Sequence, residues 1–305
     1  MLSQELKSDG VLLLTAFIWG FAFVAQRMGM DHIGPFMFNG IRFVLGALVL
    51  MPLFLRSRSA AASRRSAPGS VPGGLWVGIS AGGVLFLGAS LQQVGLVYTT
   101  AGNAGFITGL YVVIVPILGL ALGARTNAGT WLGAGLAAMG LYLLSVTETL
   151  SIAYGDLLVL VGAFFWAIHV HIVGRFAGRM EASRLALYQY LACACLSLIV
   201  GLLFETTTLD GLYAASLPIL YGGAFSVGVA YTLQIVGQRH AHPAHAAILL
   251  SLESVFAALG GWLVLGEGMS ARSMLGCALM LGGMLLSQLY GFFIKTAGRP
   301  LEVDA

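Results

Sequence analysis

Long apolar runs, broken at short intervals by small clusters of polar and charged residues, set the pattern of this chain. About 20 mostly apolar residues in a helix cross a bilayer core roughly 30 Å thick. Ten runs of suitable length can be marked: Gly10 to Gln26, Pro35 to Leu55, Leu75 to Val97, Ala101 to Gly123, Ala128 to Val146, Gly155 to Gly174, Leu185 to Phe204, Leu217 to Val236, Ala244 to Leu265, and Met274 to Ile294. Little more than Tyr98-Thr99-Thr100 separates the third run from the fourth. Their combined length is far too great for one crossing, so a tight turn is predicted there.

The second half of the pattern repeats the first. Asp9 and Asp156 each stand ten residues before a tryptophan, Trp19 and Trp166, at an offset of 147. Leu91-Gln92-x-x-Gly95 returns as Leu233-Gln234-x-x-Gly237 at an offset of 142, and Gly140 as Gly283 at 143. Five helices per copy is an odd number, so the second copy enters the membrane from the opposite side. The expected fold is all-α and integral to the membrane, with ten transmembrane helices as two inverted five-helix repeats around a central cavity. This is a transporter architecture with its site near the midplane. The repeats are expected over residues 1–147 and 148–294, with a cytoplasmic tail over 295–305.

Composition agrees with a membrane protein and excludes other classes. Of 305 residues, 58% are hydrophobic and only 9% charged, where soluble domains carry about 25% charged residues. The mean hydropathy is +0.92. Disorder is excluded by the same balance. Cys193, Cys195 and Cys277 form no disulfide framework and read as small buried hydrophobes. Gln26-Arg27 stands where a leader peptide would need small residues, so the first run reads as a retained helix.

Charge placement gives the orientation, because Lys and Arg concentrate in short cytoplasmic loops. With the amino terminus inside, the inner segments collect Lys7, Arg56, Arg58, Arg64, Arg65, Arg125, Arg175, Arg179, Arg184, Arg239, Lys295 and Arg299. Arg27, Arg42 and Arg272 fall at or near outer ends, and the outer loops hold Asp31, Glu148, Glu205, Asp210 and Glu267. Both termini are therefore expected in the cytoplasm, with the protein in the inner (plasma) membrane. Residues 56–73, rich in Arg, Ser, Ala, Gly and Pro, read as a flexible inner linker.

Several motifs carry a resemblance. Phe17-Ile18-Trp19-Gly20 with Phe23, Asn39-Gly40-Ile41-Arg42-Phe43, and above all the stretch from Leu252-Glu253-Ser254-Val255-Phe256 to Leu263-Val264-Leu265-Gly266-Glu267 resemble the drug/metabolite transporter superfamily, specifically its EamA-type ten-helix members. The resemblance spans roughly residues 10 to 292. It implies two five-helix bundles around a central cavity and export of small metabolites, amino acids being the best known class. Relatives often have Pro after the Glu, whereas this chain has Ser254, which predicts a straighter ninth helix.

Polar residues inside the spans need a reason, since a charge at mid-membrane costs at least about 2.5 kcal/mol. Glu253 is either a carboxylate that binds a proton or a substrate ammonium, or a packing residue hydrogen-bonded between helices. Arg42 either attracts a carboxylate or snorkels to the outer interface. Repeat-matched pairs share a central space by pseudo-symmetry: Trp19 with Trp166, Gln92 with Gln234, Asn103 with His245, and Tyr111 with Glu253. Asn103 and Tyr111 are eight apart, as are His245 and Glu253, which places each couple on one helical face. The alternative is that the rings fill core and the amides bond across helices. The candidate substrate-binding wall is Trp19, Gln92, Asn103, Tyr111, Trp166, Tyr231, Gln234, His245 and Glu253. His169 and His171 read as packing residues. His240, His242 and His245 imitate a metal spacing without a fourth ligand, so neither metal nor cofactor is expected.

The expected partners are a small-molecule substrate and the lipid bilayer, without nucleic acid; the sequence leaves open a proton as coupling ion or facilitated efflux without one, and a monomer is enough to form the pathway. Gly78-Ile79-Ser80-Ala81-Gly82 matches a hydrolase motif only formally, because that motif needs a strand-turn-helix setting. An enzyme is not expected. Within transport, a multidrug or nucleoside/sugar-derivative carrier is the alternative to an amino-acid exporter, followed by a non-transporting helper.

Overall fold

The structure is a computed structural model that describes residues 4–63, 73–123, 128–145, 154–268, 270–272, 274–276, 278–283, 286 and 290. Every regular element among them is helical. Eight helical segments are long and apolar enough to cross a membrane. α1 (Gln4–Gly29), α2 (Pro35–Ser63) and α3 (Gly74–Gly95) come first, followed by α4 (Ala101–Gly109) and α5 (Tyr111–Ala121), which together make one span. α6 (Ala128–Ser145) covers the fifth predicted run. α7 (Tyr154–Phe176) and α8 (Ala182–Phe204) follow, then a short helix α9 (Leu209–Ala214) that the hydrophobic pattern did not suggest. The eighth span joins α10 (Ser216–Leu220), a π-helix π1 (Tyr221–Tyr231) and α11 (Thr232–Gly237). The ninth joins α12 (Pro243–Leu250) and α13 (Glu253–Leu265), and an apolar helix over Met274–Gly283 covers part of the tenth predicted run. The predicted linker begins as helix, since α2 continues to Ser63. The rest of that linker, apart from Gly73, the tail 295–305 expected in the cytoplasm, and the loop positions Arg64, Arg65, Arg125, Glu148, Lys295 and Arg299 lie outside the described residues, as does Cys277.

Three departures from uniform α-helix matter. The span over Ala101–Ala121 is interrupted at Leu110, whose N–H turns back to Ile107 O at 3.1 Å. The ninth span is interrupted at Ser251-Leu252, where Leu252 N–H reaches Leu249 O at 3.3 Å and Ser254 N–H reaches Ser251 O at 3.0 Å. Leu110 and Leu252 are 142 positions apart, the offset that relates Gln92 to Gln234. The expectation of a straighter ninth helix is thus corrected. Tightening to i→i−3 bonds breaks the helix without a proline, and the Ser254 hydroxyl donates to Gly105 O at 2.5 Å across to α4. The third departure is π1, eleven residues of a conformation that normally appears as single-turn bulges.

Glycines allow the central helices to touch. A Cβ at Gly20 would lie 2.2 Å from Phe256 Cβ and 2.7 Å from the Glu253 carbonyl, so α1 crosses α13 backbone to backbone. Without a hydrophobic drive between helices in lipid, such close contact is the main source of association. Large apolar side chains such as Leu48, Leu202 and Phe204 point outward.

Polar links close both ends of the bundle. At the end where α1 starts, Asp9 pairs with His245 at 2.9 Å, and the Ser8 hydroxyl donates to Gly237 O. At the end where α7 starts, the Thr99 hydroxyl donates to Asp156 at 2.7 Å, and Glu267 accepts from the N–H groups of Ala101 and Gly102, both at 3.1 Å.

Candidate functional site

Between the two closed ends lies a cavity walled by α1, α2, α3, α4, α5, α7, π1, α11, α12 and α13. Little of it is wide enough to admit a water molecule. The conformation is therefore constricted, and a larger guest must push the helices apart.

Seven of the nine residues proposed from the sequence line this cavity: Trp19, Gln92, Tyr111, Trp166, Tyr231, Gln234 and Glu253. Asn103 and His245 do not. Their inclusion assumed helices running unbroken to Tyr111 and Glu253, and the interruptions at Leu110 and Leu252 remove that shared face. Asn103 stands in the first turn of α4, where its N–H is capped by the Thr100 hydroxyl at 3.1 Å. His245 is held by Asp9. His242 is the N-cap of α12, with Nδ1 accepting from Ala244 N–H at 3.3 Å. His171 Nε2 lies 2.8 Å from Val115 O. Ser80 is exposed on the regular helix α3.

Around Gln92 the hydrogen bonds are nearly complete. Gln92 Nε2 donates to Gln26 Oε1 at 3.0 Å, while Gln92 Oε1 accepts from Trp166 Nε1 at 3.0 Å and from the Thr108 hydroxyl at 3.4 Å. Trp19, the counterpart of Trp166, donates instead to the backbone carbonyl of Ser226 in π1 at 3.1 Å. Gln234 Oε1 is buried without a hydrogen-bond partner, although a buried amide oxygen normally finds one. The Tyr111 hydroxyl faces the Glu253 carboxylate.

The aromatic part centres on Tyr231, whose ring lies 4.6 Å from Trp19, 6.2 Å from Trp166 and 6.1 Å from His169, centroid to centroid. Two ionisable residues complete the wall. Arg42 is only 1% exposed, so it does not snorkel to the interface. Its Nε donates to Asn39 Oδ1 at 2.9 Å, and its guanidinium lies 5.7 Å and 5.2 Å from the rings of Phe38 and Phe43. Glu253 is 4% exposed, beside Tyr111. Among the described residues neither Arg42 nor Glu253 lies within ion-pair distance of an opposite charge. The Tyr231 hydroxyl is within electrostatic reach of both.

The sequence model of the EamA-like transporter family matches this chain twice, over residues 6–146 and 153–289. The chain belongs to that family. An uncharacterized transporter of Archaeoglobus fulgidus is 33% identical over 94% of this chain and 87% of its own length. The uncharacterized transporter YoaV of Bacillus subtilis (24%, over 91% of this chain and 95% of its own) and the uncharacterized inner membrane transporter YedA of Escherichia coli K12 (26%, over 99% and 98%) are also similar. A solved crystal structure superposes with a TM-score of 0.75 at 20% identity, over 93% of this chain and 99% of the other, which supports the same fold. The protein is thus a multi-pass membrane transporter of the EamA-like family. The sequence reading of this EamA-like chain missed Gln26, Thr108 and Ser226, and it gave His169 a packing role. Phe23 and Gln26 follow Trp19 by four and seven positions, and His169 follows Trp166 by three, so helical spacing from each tryptophan would have found them.

Proposed function

We propose that this protein is a secondary transporter that exports small amphiphilic metabolites, amino acids foremost, across the inner membrane by alternating access between two inverted repeats, residues 1–147 and 148–294, with both termini in the cytoplasm. The observation that carries the reading is the cavity itself. It is buried between elements from both halves of the chain, closed at each end by polar links, and walled by aromatic rings together with unpaired polar and charged groups. Rings offer stacking surface to an apolar side chain, and a few placed polar groups orient a head group. Substrate shifts the inward-outward equilibrium by binding the two states differently. The wall residues Trp19, Gln92, Tyr111, Trp166, Tyr231, Gln234 and Glu253 would contact substrate, and a monomer would contain the whole pathway.

The test is counterflow in proteoliposomes preloaded with amino acids, nucleosides or cationic drugs, with and without a pH gradient. Saturable exchange of amino acids supports the proposal. Exchange confined to nucleosides or drugs moves the substrate class to the alternative, and no exchange by folded, inserted protein would overturn it. A proton is the proposed coupling ion, carried by Glu253. Glu253→Gln should then abolish dependence on the pH gradient while exchange persists, and unchanged dependence would remove Glu253 from that role.

A further inference from the structure

Arg42 and Glu253 line one membrane-embedded cavity and do not pair with each other. A purely structural role would favour their pairing, because an isolated buried charge is costly. Instead Arg42 has Tyr231 and Cys193 as its electrostatic neighbours, Glu253 has Tyr111, and Tyr231 is shared. The unsatisfied groups have matching chemistry. Only Arg42 Nε is spent on a protein acceptor, Asn39 Oδ1, and a guanidinium has five N–H donors that fit a carboxylate as a fork. Near Glu253 the cavity offers oxygen acceptors: the carboxylate, Gln234 Oε1, which has no donor, and the Tyr111 oxygen, whose own O–H faces the carboxylate. An ammonium has three donors to give.

We propose that the cavity is a fixed-polarity clamp for a zwitterion, in which Arg42 takes the carboxylate of a small α-amino acid and Glu253, with Gln234 and Tyr111, takes its ammonium. This rests on the transport reading above and adds which residue reads which end. Pseudo-symmetry alone would not produce it. At the offset of 147 Arg42 corresponds to Gln189, and at 142 Glu253 corresponds to Tyr111, so each charge occurs in only one half. A site with two unlike ends cannot accept the substrate reversed. An apolar side chain would lie against Trp19, Tyr231 and Trp166.

The experiment is competition for leucine counterflow by a matched series: leucine, leucinamide, which lacks the carboxylate, and 4-methylpentanoate, which lacks the ammonium. The protein carrying its native residues should prefer leucine to each analogue by at least tenfold. Arg42→Gln should reduce discrimination against leucinamide tenfold or more and leave discrimination against 4-methylpentanoate in place, while Glu253→Gln should do the converse. Arg42→Lys should restore part of the preference. These ratios are read within each variant, so a lower yield of folded carrier does not change them. Leucine exchange with both ratios unchanged in the two variants, or changed at the wrong end, overturns the clamp and leaves the transport reading standing. Failure of the native carrier to exchange leucine or any other amino acid overturns the amino-acid reading and the clamp together.

Discussion

Two tryptophan–glutamine pairs occupy equivalent places in the two halves of this protein, and only one of them is satisfied. Trp166 and Gln92 are bonded to each other, and Gln26 and Thr108 supply the remaining partners. Trp19 and Gln234 are not bonded: the indole goes to the Ser226 carbonyl, and Gln234 Oε1 has nothing. The cause is visible in the sequence. Gln26 corresponds to Val173 at the offset of 147, and Thr108 to Leu250 at 142, so apolar residues stand where the second glutamine would need its partners. The same half replaces the regular helix α3 by π1, which brings Tyr231 to the cavity where the first half has Ala89. One half of the site is therefore built for rigidity, and the other leaves hydrogen-bonding capacity open to a guest.

The sharpest test of that difference is a matched pair of substitutions. Gln92→Leu leaves Trp166 Nε1 and Gln26 Oε1 without partners, at about 1–3 kcal/mol for each buried group. Interhelical bonds in membranes tend to the lower end of such ranges, so a total of roughly 2–4 kcal/mol is expected, seen as a drop of several degrees in thermal stability in detergent. Gln234→Leu removes an acceptor that was already unpaired, so stability should change by about 1 kcal/mol or less, while the apparent affinity for transported substrate falls at least fivefold. Equal stability losses in the two variants would show that Gln234 has a structural partner and would end the distinction.

A smaller effect should follow from giving Gln234 what Gln92 has. Leu250→Thr places a hydroxyl at the position equivalent to Thr108. The loss of apolar volume costs about 2 kcal/mol, and a new bond to Gln234 Oε1 returns about 1. A double-mutant cycle with Gln234→Leu isolates that bond, with an expected coupling of about 0.5–1 kcal/mol, and transport by Leu250→Thr should weaken severalfold because the acceptor is then spent within the protein. Zero coupling would mean that the two positions do not face each other.

What could be read in the sequence divides along physical lines. The helices were legible because bilayer thickness imposes a length on every span, and the two copies because Trp19/Trp166 and Gln92/Gln234 recur at nearly constant offsets. Six of the seven cavity residues follow from that symmetry, whereas Tyr231 has only Ala89 at the equivalent position. Asn103 and His245 failed because periodicity carries no mark of a break made by i→i−3 tightening at Leu110 and Leu252. Likewise, nothing in Tyr221–Tyr231 distinguishes a π-helix from an α-helix. The role of Arg42 was undecided because its depth in α2 allows snorkelling, and only the packing of Phe38, Phe43 and Asn39 around it keeps the guanidinium inside.

The two ends of the bundle extend the comparison, with the smallest expected effect. The end at α7 is tied by Thr99 and Asp156, whereas the end at α1 is tied by Asp9 and His245 beside the exposed His242. Burial first, then the proximity of His171 and His245, holds the His242 pKa below its ordinary 6.5. Its neutral ring is also what caps α12, since Nδ1 must accept from Ala244 N–H. The folded protein therefore resists a proton that the unfolded chain takes up. The contribution is complete above about pH 6.5 and is lost as pH falls from there toward the lowered folded value. A cap is worth about 1 kcal/mol, and less at an exposed position. His242→Asn keeps a capping acceptor and cannot titrate. Between pH 7.5 and 5.5 the native protein should lose more thermal stability than this variant. Every other residue is common to both proteins, so the difference reports position 242. Identical losses would show that the cap does not respond to pH and that the two ends are alike in this range.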